Sequence, residues 1–366
     1  MNDHKIKIAH ISSVHGHTDI RILMKECQTL SSKYEVHFLN KDFTGNINGI
    51  FFKRINFAKS RFLRIISSWL TSSIKIIFSD YKIVHFHDPE LMLAVPIWKF
   101  FGKKVIMDVH ENFGKQLETK SYIPKFMKPV LKNFVVTVEF LISKMCDAII
   151  VVHKDLNSVL NKHKLCTVVS NAPLLDYNFR FTKRKKQFCY VGLISEERGV
   201  IHLAKILNKM NIKLVLAGNF SNHDAKEKIL ALENIEFLGW INSVEKENLV
   251  SESIAGACTF LPIEHHLISN PNKIYEYLNY GTPVLCSDFE SYKEIIPDSS
   301  NFIYYCNILD EEKISKIIEK IINMNDDEVN NVGLEGHQYI SKNYNWEIEG
   351  MKLMNVYSKL TKQYSQ

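Results

Sequence analysis

The chain has no pair of cysteines at C-x-x-C spacing, and its seven cysteines fall one at a time through apolar or ordinary segments. An odd, scattered set supports neither a disulfide framework nor a zinc knuckle, and a reducing compartment is expected. No G-x-G-x-x-G follows a strand candidate, which argues against a Rossmann oxidoreductase. The opening MNDHKIKIAHISS has no apolar h-region, and no stretch reaches the ~18 uncharged apolar residues of a spanning helix. A soluble, cytoplasmic protein is therefore expected. The nearest approach to a span, FLRIISSWLTSSIKIIF (62–78), is broken by Arg64, Lys75 and several serines. It predicts an amphipathic helix whose apolar stripe faces a sheet. Internal repeats and low-complexity tracts are absent.

What is present is enough material for a large core. At 366 residues and 46% hydrophobic content, two domains are the first expectation. The formal net charge of +6 suits an anionic substrate or membrane surface and does not require nucleic acid.

Short β-branched runs alternate with helical patterns nearly from end to end, the signature of βαβ units and parallel sheets, hence an α/β fold. In the first half the strand candidates are 5–12, 34–39, 82–87, 104–110, 147–152 and 166–171. The basic stretch FRFTKRKKQ (179–187) breaks the series and reads as an interdomain linker. A second series follows at 188–192, 212–218, 235–240, 256–262, 282–288 and 301–306. The expected domains are thus 1–178 and 179–345, with a terminal helix at about 346–366 packing back on the first. Most strands of the second series end in Gly, Pro, Asp or Asn, so ligands should bind at their carboxyl ends.

The segment NPNKIYEYLNYGTPVLCSD (270–288) places a polar helix, a glycine stop and an apolar run side by side. Asn270 suits the N-cap, Pro271 the first helical position, and Gly281 the left-handed stop, giving a helix of about three turns. The first turn then offers backbone N–H groups and the Lys273 ammonium to a phosphate. Glu276, one turn on, lies on the same face and can accept hydrogen bonds from sugar hydroxyls. An ordinary exposed Lys–Glu pair is the plainer reading of an isolated segment.

Around this segment stand SSVHGHTDIRILMKECQTL (12–30), FHDPELM (86–92), IMDVHENF (106–113), YVGLISEERG (190–199), LVLAG (214–218), IEFLGWI (235–241) and PNKIYEYLNYGTPVLCSD (271–288). In this order and spacing the chain resembles the retaining glycosyltransferases of family 4. The resemblance implies the GT-B architecture, two facing Rossmann-like domains with parallel sheets and a nucleotide-sugar in the interdomain cleft.

It also implies roles for particular residues. His110 corresponds to the family's histidine near the transferring centre, although a strand-end histidine is also a common structural group. Arg198 matches the basic residue that clamps the diphosphate, Lys273 adds a second positive charge, and Glu276 matches a ribose-binding carboxylate. Pro271 and Asn272 shape the turn. Gly192 and Gly218 close strands on the donor side, and Gly16 sits in the first loop near the diphosphate. Trp240 and Ile241 lie where the family holds the nucleobase, with Trp240 equally suited to a core. Asp19, Arg21, Asp88 and Glu111 fall on the acceptor side. Asp19 and Arg21 are expected to pair and order their loop, or Asp19 simply starts a helix.

Two positions depart from the family pattern. Ile268 stands where the first glutamate of E-x7-E belongs, leaving Glu264 or Asn270 to replace it, and Leu193 stands where many members have an arginine. The set His15, His17, His85 and His87 lacks a matching Cys or carboxylate cluster, and no D-x-D motif is present, so neither metal nor cofactor is expected.

The implied reaction is transfer of a sugar, with retention, from a UDP- or GDP-sugar to a glycan or polyprenyl-diphosphate-linked glycan, as in bacterial O-antigen, capsule or exopolysaccharide synthesis. The basic amphipathic stretch 121–144, with Lys125, Lys128, Lys132, Phe126, Met127 and Phe134, suits contact with an anionic bilayer at the inner face of the plasma membrane, or a helix that covers the sheet. Alternatives are a catalytically silent binder of nucleotide or glycan, motivated by Ile268 and Leu193, and a nucleotide-sugar epimerase of the same shape.

Overall fold

A computed structural model describes residues 5–56, 58, 61–110, 124–153, 160–175 and 182–362. Glu111 and much of the 106–123 stretch lie outside the described residues. The chain forms two compact units, Met1–Asn171 with Glu347–Gln366, and Ala172–Trp346.

The first unit is built on an eight-stranded sheet. Its strands are β1 (Lys7–Ile11), β2 (Glu35–Asn40), β3 (Gly45–Ile47), β4 (Ile50–Arg54), β5 (Ile83–Phe86), β6 (Lys104–Val109), β7 (Ala148–Val151) and β8 (Cys166–Val168). They lie in the order β3-β4-β2-β1-β5-β6-β7-β8, and each pairing is parallel except β3–β4. Ala9, Ile11, Val84, Phe86, Val105, Met107 and Val109 fill an apolar core on one face. On these strands the alternate positions His10, His85 and Asp108 are polar and fully buried, since successive strand residues point to opposite faces.

The second unit holds β9 (Lys185–Val191), β10 (Lys213–Ala217), β11 (Ile235–Phe237), β12 (Ser253–Cys258), β13 (Val284–Ser287) and β14 (Ile303–Cys306). The order is β11-β10-β9-β12-β13-β14, all parallel. This is the doubly wound pattern, and its order reverses between β9 and β12, where such sheets bind ligands.

The strands read from the sequence are all present. The segment 179–187, expected as a linker, instead contributes Lys185, Lys186 and Gln187 to β9. The Arg61–Ile77 helix forms, and Trp69 and Ile76 pack on the apolar core of the first unit as expected, but the stripe is mixed. Ser68, Ser72, Ser73 and Ile76 are buried, whereas Ile66, Leu70, Ile74 and the following Phe78 are exposed. The small hydroxyl side chains turn inward, and Ser72 donates back to the Trp69 carbonyl at 3.2 Å, which satisfies a buried hydroxyl without an outside partner. No helix among the described residues is long and apolar enough to cross a membrane.

Candidate donor site and the buried polar cluster

At the carboxyl end of β9 the chain turns through Gly192, with φ +134°. Its N–H bonds the Ala217 carbonyl at 2.8 Å, and Gly218, with φ +131°, bonds the Gly239 carbonyl at 2.7 Å. A Cβ on Gly218 would collide with the Gly192 carbonyl, so these strand ends pack backbone against backbone as only glycine permits. The turn then runs through Arg198, whose N–H bonds Ser195 Oγ at 3.3 Å. Gly199, in the left-handed region at φ +68°, starts the Val200–Lys209 helix.

These elements border a cavity of about 860 Å³ in the second unit. Its walls include Gly192, Arg198, Lys246, Phe260, Lys273 and Glu276. A Cβ on Gly192 would overlap the Lys273 ammonium and lie 3.9 Å from Arg198 Nη1, so both cations sit against one glycine. Lys273 donates to the Val191 carbonyl and lies 4.7 Å from the centre of the Tyr190 ring. The Arg198 guanidinium stands 5.5 Å over Phe260. Aromatic faces hold cations in place without neutralising them. Burial, with some help from Arg198, lowers the Lys273 pKa to about 8. Among the described residues neither cation forms an ion pair with a carboxylate. Two positive groups beside an uncapped helix start are the elements from which anion sites are built.

The helix carrying Lys273 differs from expectation. It spans Asn272–Asn279, about two turns, with Pro271 rather than Asn270 at the N-cap and no side-chain cap. Asn270 Oδ1 is buried without a hydrogen-bond partner. Gly281 does adopt the left-handed stop, φ +67°. Glu276 lines the cavity, with Lys246 Nζ 3.5 Å from its carboxylate. Lys246 belongs to the Ser243–Glu252 helix, a segment without any sequence signal of a site. Pro271 and Asn272 border the cavity, as do His265, His266 and Ser269. Glu264, Asn270, Trp240, Ile241 and Gly218 are not among its lining residues. Trp240 is 77% exposed, which excludes a core anchor. Leu193 and Ile268 are exposed, and only Leu193 lines the cavity.

The residues expected on the acceptor side, and Gly16, belong to the first unit. Asp19 accepts from Ile22 N–H at 2.9 Å and bonds His15 Nδ1 at 2.7 Å. Although burial opposes it, these bonds hold the carboxyl at a pKa of about 2. Asp19 thus starts the Ile20–Cys27 π-helix, the second of the two expectations above; the other, a pair with Arg21, is not formed, since Arg21 pairs with Glu26 and Asp108. Arg21 is buried, with Nε 2.9 Å from Glu26 and Nη2 3.3 Å from Asp108. Asp88 is also buried and accepts from Ser12 Oγ at 2.6 Å and Ser13 N–H at 2.7 Å. Gly16 abuts the Asp42 carboxylate, and His17 bonds the same group at 3.1 Å.

His110 Nε2 lies 2.6 Å from Asp108 Oδ2, which also meets His87 Nδ1 at 3.1 Å. Burial disfavours the charged carboxylate, but Arg21 and the His110 and His87 contacts hold its pKa well below the usual range. His85 and His87, expected to lack a carboxylate partner, gather with His10 and Glu26 in a buried cluster. Burial lowers the pKa of all three histidines and raises that of Glu26.

Residues 176–338 match the family model described as glycosyl transferases group 1, which places the cavity and its cations within the matched span. No curated protein matches the chain. Solved structures do. A sucrose-phosphate synthase from Thermosynechococcus elongatus is similar at TM-score 0.72 and 14% identity, over 98% of this chain and 100% of that one. The lipopolysaccharide outer core galactosyltransferase WaaB is similar at 0.64 and 17%, over 97% and 100%. An E. coli trehalose-6-phosphate protein carrying UDP-2-fluoro glucose is similar at 0.66 and 9%, over 97% and 99%. At these identities the likeness defines the fold, that of the GT-B proteins with two Rossmann-like domains.

Proposed function

We propose that the protein is a retaining glycosyltransferase that moves a sugar from a nucleotide-diphosphate donor to a glycan or lipid-linked glycan acceptor in cell-surface polysaccharide synthesis. The observation that carries this reading is the convergence of Lys273 and Arg198 on Gly192, with no carboxylate paired to either among the described residues. A diphosphate is the ligand that such a pair neutralises. The group 1 family match over the same residues and a UDP-sugar in one structural neighbour support a nucleotide-sugar.

When the sugar leaves, negative charge builds on the diphosphate, and the two cations and the helix start stabilise that charge in place. Glu276, one turn beyond Lys273, accepts hydrogen bonds from the ribose hydroxyls. The acceptor hydroxyl attacks on the face from which the phosphate departs, and a phosphate oxygen takes its proton. No protein nucleophile or metal ion enters this step. His110, oriented by Asp108 at 2.6 Å, is assigned to the reacting sugar, and the amino-terminal unit to the acceptor.

A lipid-linked acceptor is favoured by the exposed stripe Ile66, Leu70, Ile74 and Phe78, and by the exposed Phe126, Val130 and Phe134 at the start of the Lys128–Met145 helix. Apolar side chains in a chain of net positive charge suit an anionic bilayer. The test of the whole reading is a panel of nucleotide-sugars screened for thermal stabilisation, followed by transfer of a radiolabelled sugar from the stabilising donor. Transfer with retained anomeric configuration, lost in Glu276→Ala, is expected. Tight nucleotide binding without turnover on any acceptor identifies a silent binder, and an altered donor sugar released without acceptor identifies an epimerase.

A further inference from the structure

Three histidines and a carboxylate meet inside the first unit with no solvent contact. His10 on β1 and His85 on β5 are register partners in adjacent parallel strands, and His87, two residues beyond His85, points to the same face. Glu26 enters from the Ile20–Cys27 helix above that face. All four side chains are 0% exposed. We propose that His10 Nδ1, His85 Nδ1, His87 Nε2 and Glu26 Oε2 form a structural binding site for a divalent metal ion, zinc being the best fit.

Glu26 Oε2 lies 3.8 Å from His10 Nδ1, 4.0 Å from His85 Nδ1 and 3.9 Å from His87 Nε2, and His10 Nδ1 is 3.1 Å from His87 Nε2. Four ligands at zinc's ordinary bond lengths sit roughly 3.3 Å apart in a tetrahedron. All four atoms lie within 4.8 Å of one another, and Glu26 Oε2 would have to close on the imidazoles by roughly half an ångström or more to complete the sphere.

Glu26 Oε1 forms an ion pair with Arg21 Nε at 2.9 Å, whereas Oε2 has no hydrogen-bond partner among the described residues, and a buried polar atom left without one is costly. Among the described residues Arg21 is the guanidinium paired with Glu26, and it also serves Asp108. A divalent ion at Glu26 Oε2 supplies the partner that this oxygen lacks.

Metal-bound imidazoles usually pass their other nitrogen to a carboxylate or hydroxyl that fixes the tautomer. Here His87 Nδ1 meets Asp108 at 3.1 Å and His10 Nε2 meets the Tyr357 hydroxyl at 3.0 Å; the same hydroxyl lies 2.9 Å from His85 Nδ1, and His10 Nδ1 and His87 Nε2 share a hydrogen bond, two contacts that the ion would replace. Arg21 Nε holds the other Glu26 oxygen at 2.9 Å. The four ligands are all protein side chains and leave no open position, so the ion is structural and takes no part in group transfer. It ties β1, β5 and the Ile20–Cys27 helix together.

The full-length chain, purified without chelators, should carry stoichiometric zinc by plasma mass spectrometry. Stripping it with a chelator should lower Tm, and adding zinc back should restore it. In Glu26→Gln and His87→Gln, zinc affinity should fall by roughly ten- to hundredfold or more. Should those variants fail to fold, cobalt replaces zinc in the wild-type chain, and the intense visible bands of tetrahedral cobalt are expected. Trace metal only, with Tm indifferent to zinc, overturns the proposal. So does stoichiometric zinc retained by folded variants, or a weak octahedral cobalt spectrum.

Discussion

Lys273 donates its ammonium proton to the carbonyl of Val191, the last residue of β9, and thereby sits over the Gly192 turn with Arg198 beside it. The bond fixes a cation at the strand end where a doubly wound sheet takes its ligand. From it follow the first two predictions.

Removing either cation should weaken diphosphate binding. Charge-assisted hydrogen bonds contribute about 1.5–3 kcal/mol, so Lys273→Ala and Arg198→Ala should each lower affinity for a nucleoside diphosphate by roughly ten- to hundredfold. Calorimetric titration measures this, with circular dichroism checking the fold.

The titration of Lys273 sets opposite pH trends for binding and stability. Burial lowers its pKa from 10.5 to about 8 in the folded chain. Below 8 the ammonium is charged and binds phosphate, and above 8 the affinity falls by up to tenfold per pH unit. The unfolded chain keeps its proton up to the ordinary lysine value, so between about 8 and 10.5 it binds more protons than the folded one. Unliganded stability should therefore gain from this group as pH rises through that window. Lys273→Gln should lose both trends, measured by titration and by urea unfolding across pH.

Asp108→Asn should be severely destabilising. It leaves Arg21 with Glu26 alone and disturbs His87 and His110 together. Breaking a buried pair of this kind costs about 3–5 kcal/mol, which urea denaturation reads directly.

Membrane contact is tested by Leu70→Glu with Ile74→Glu. Both side chains are exposed, so Tm should change little, since surface substitutions usually cost within about 0.5 kcal/mol. Flotation with anionic vesicles at low salt should fall sharply. Absence of flotation by the wild-type chain removes the membrane part of the proposal.

Much of the fold was readable because parallel strands buried on both faces appear as β-branched runs ended by Gly, Pro or Asp. The β3–β4 hairpin escaped, although Asn48 and Gly49, at φ +51° and +81°, form the Asn-Gly turn that favours hairpins. Lys273, Arg198 and Glu276 line one cavity; the helix start pointed to Lys273 and Glu276, and the family resemblance pointed to Arg198. Lys246 was not, since its helix looks like any solvated helix and only the fold brings it to Glu276. The inward serines of Arg61–Ile77 reversed a rule that ranks residues by polarity alone. The histidine cluster was half visible: KIVHFH shows two same-face histidines, but pairing His10 with His85 depends on strand register, which no local pattern carries.

The central claim is that the carboxyl-terminal unit holds a nucleotide diphosphate between Lys273 and Arg198. Calorimetric titration of UDP and GDP into the wild-type chain and the folded Arg198→Ala/Lys273→Ala variant tests it most directly. Measurable binding of at least one nucleotide by the wild type, lost in the variant, is the expected result. Equal binding by both chains, or none by the wild type, would contradict it.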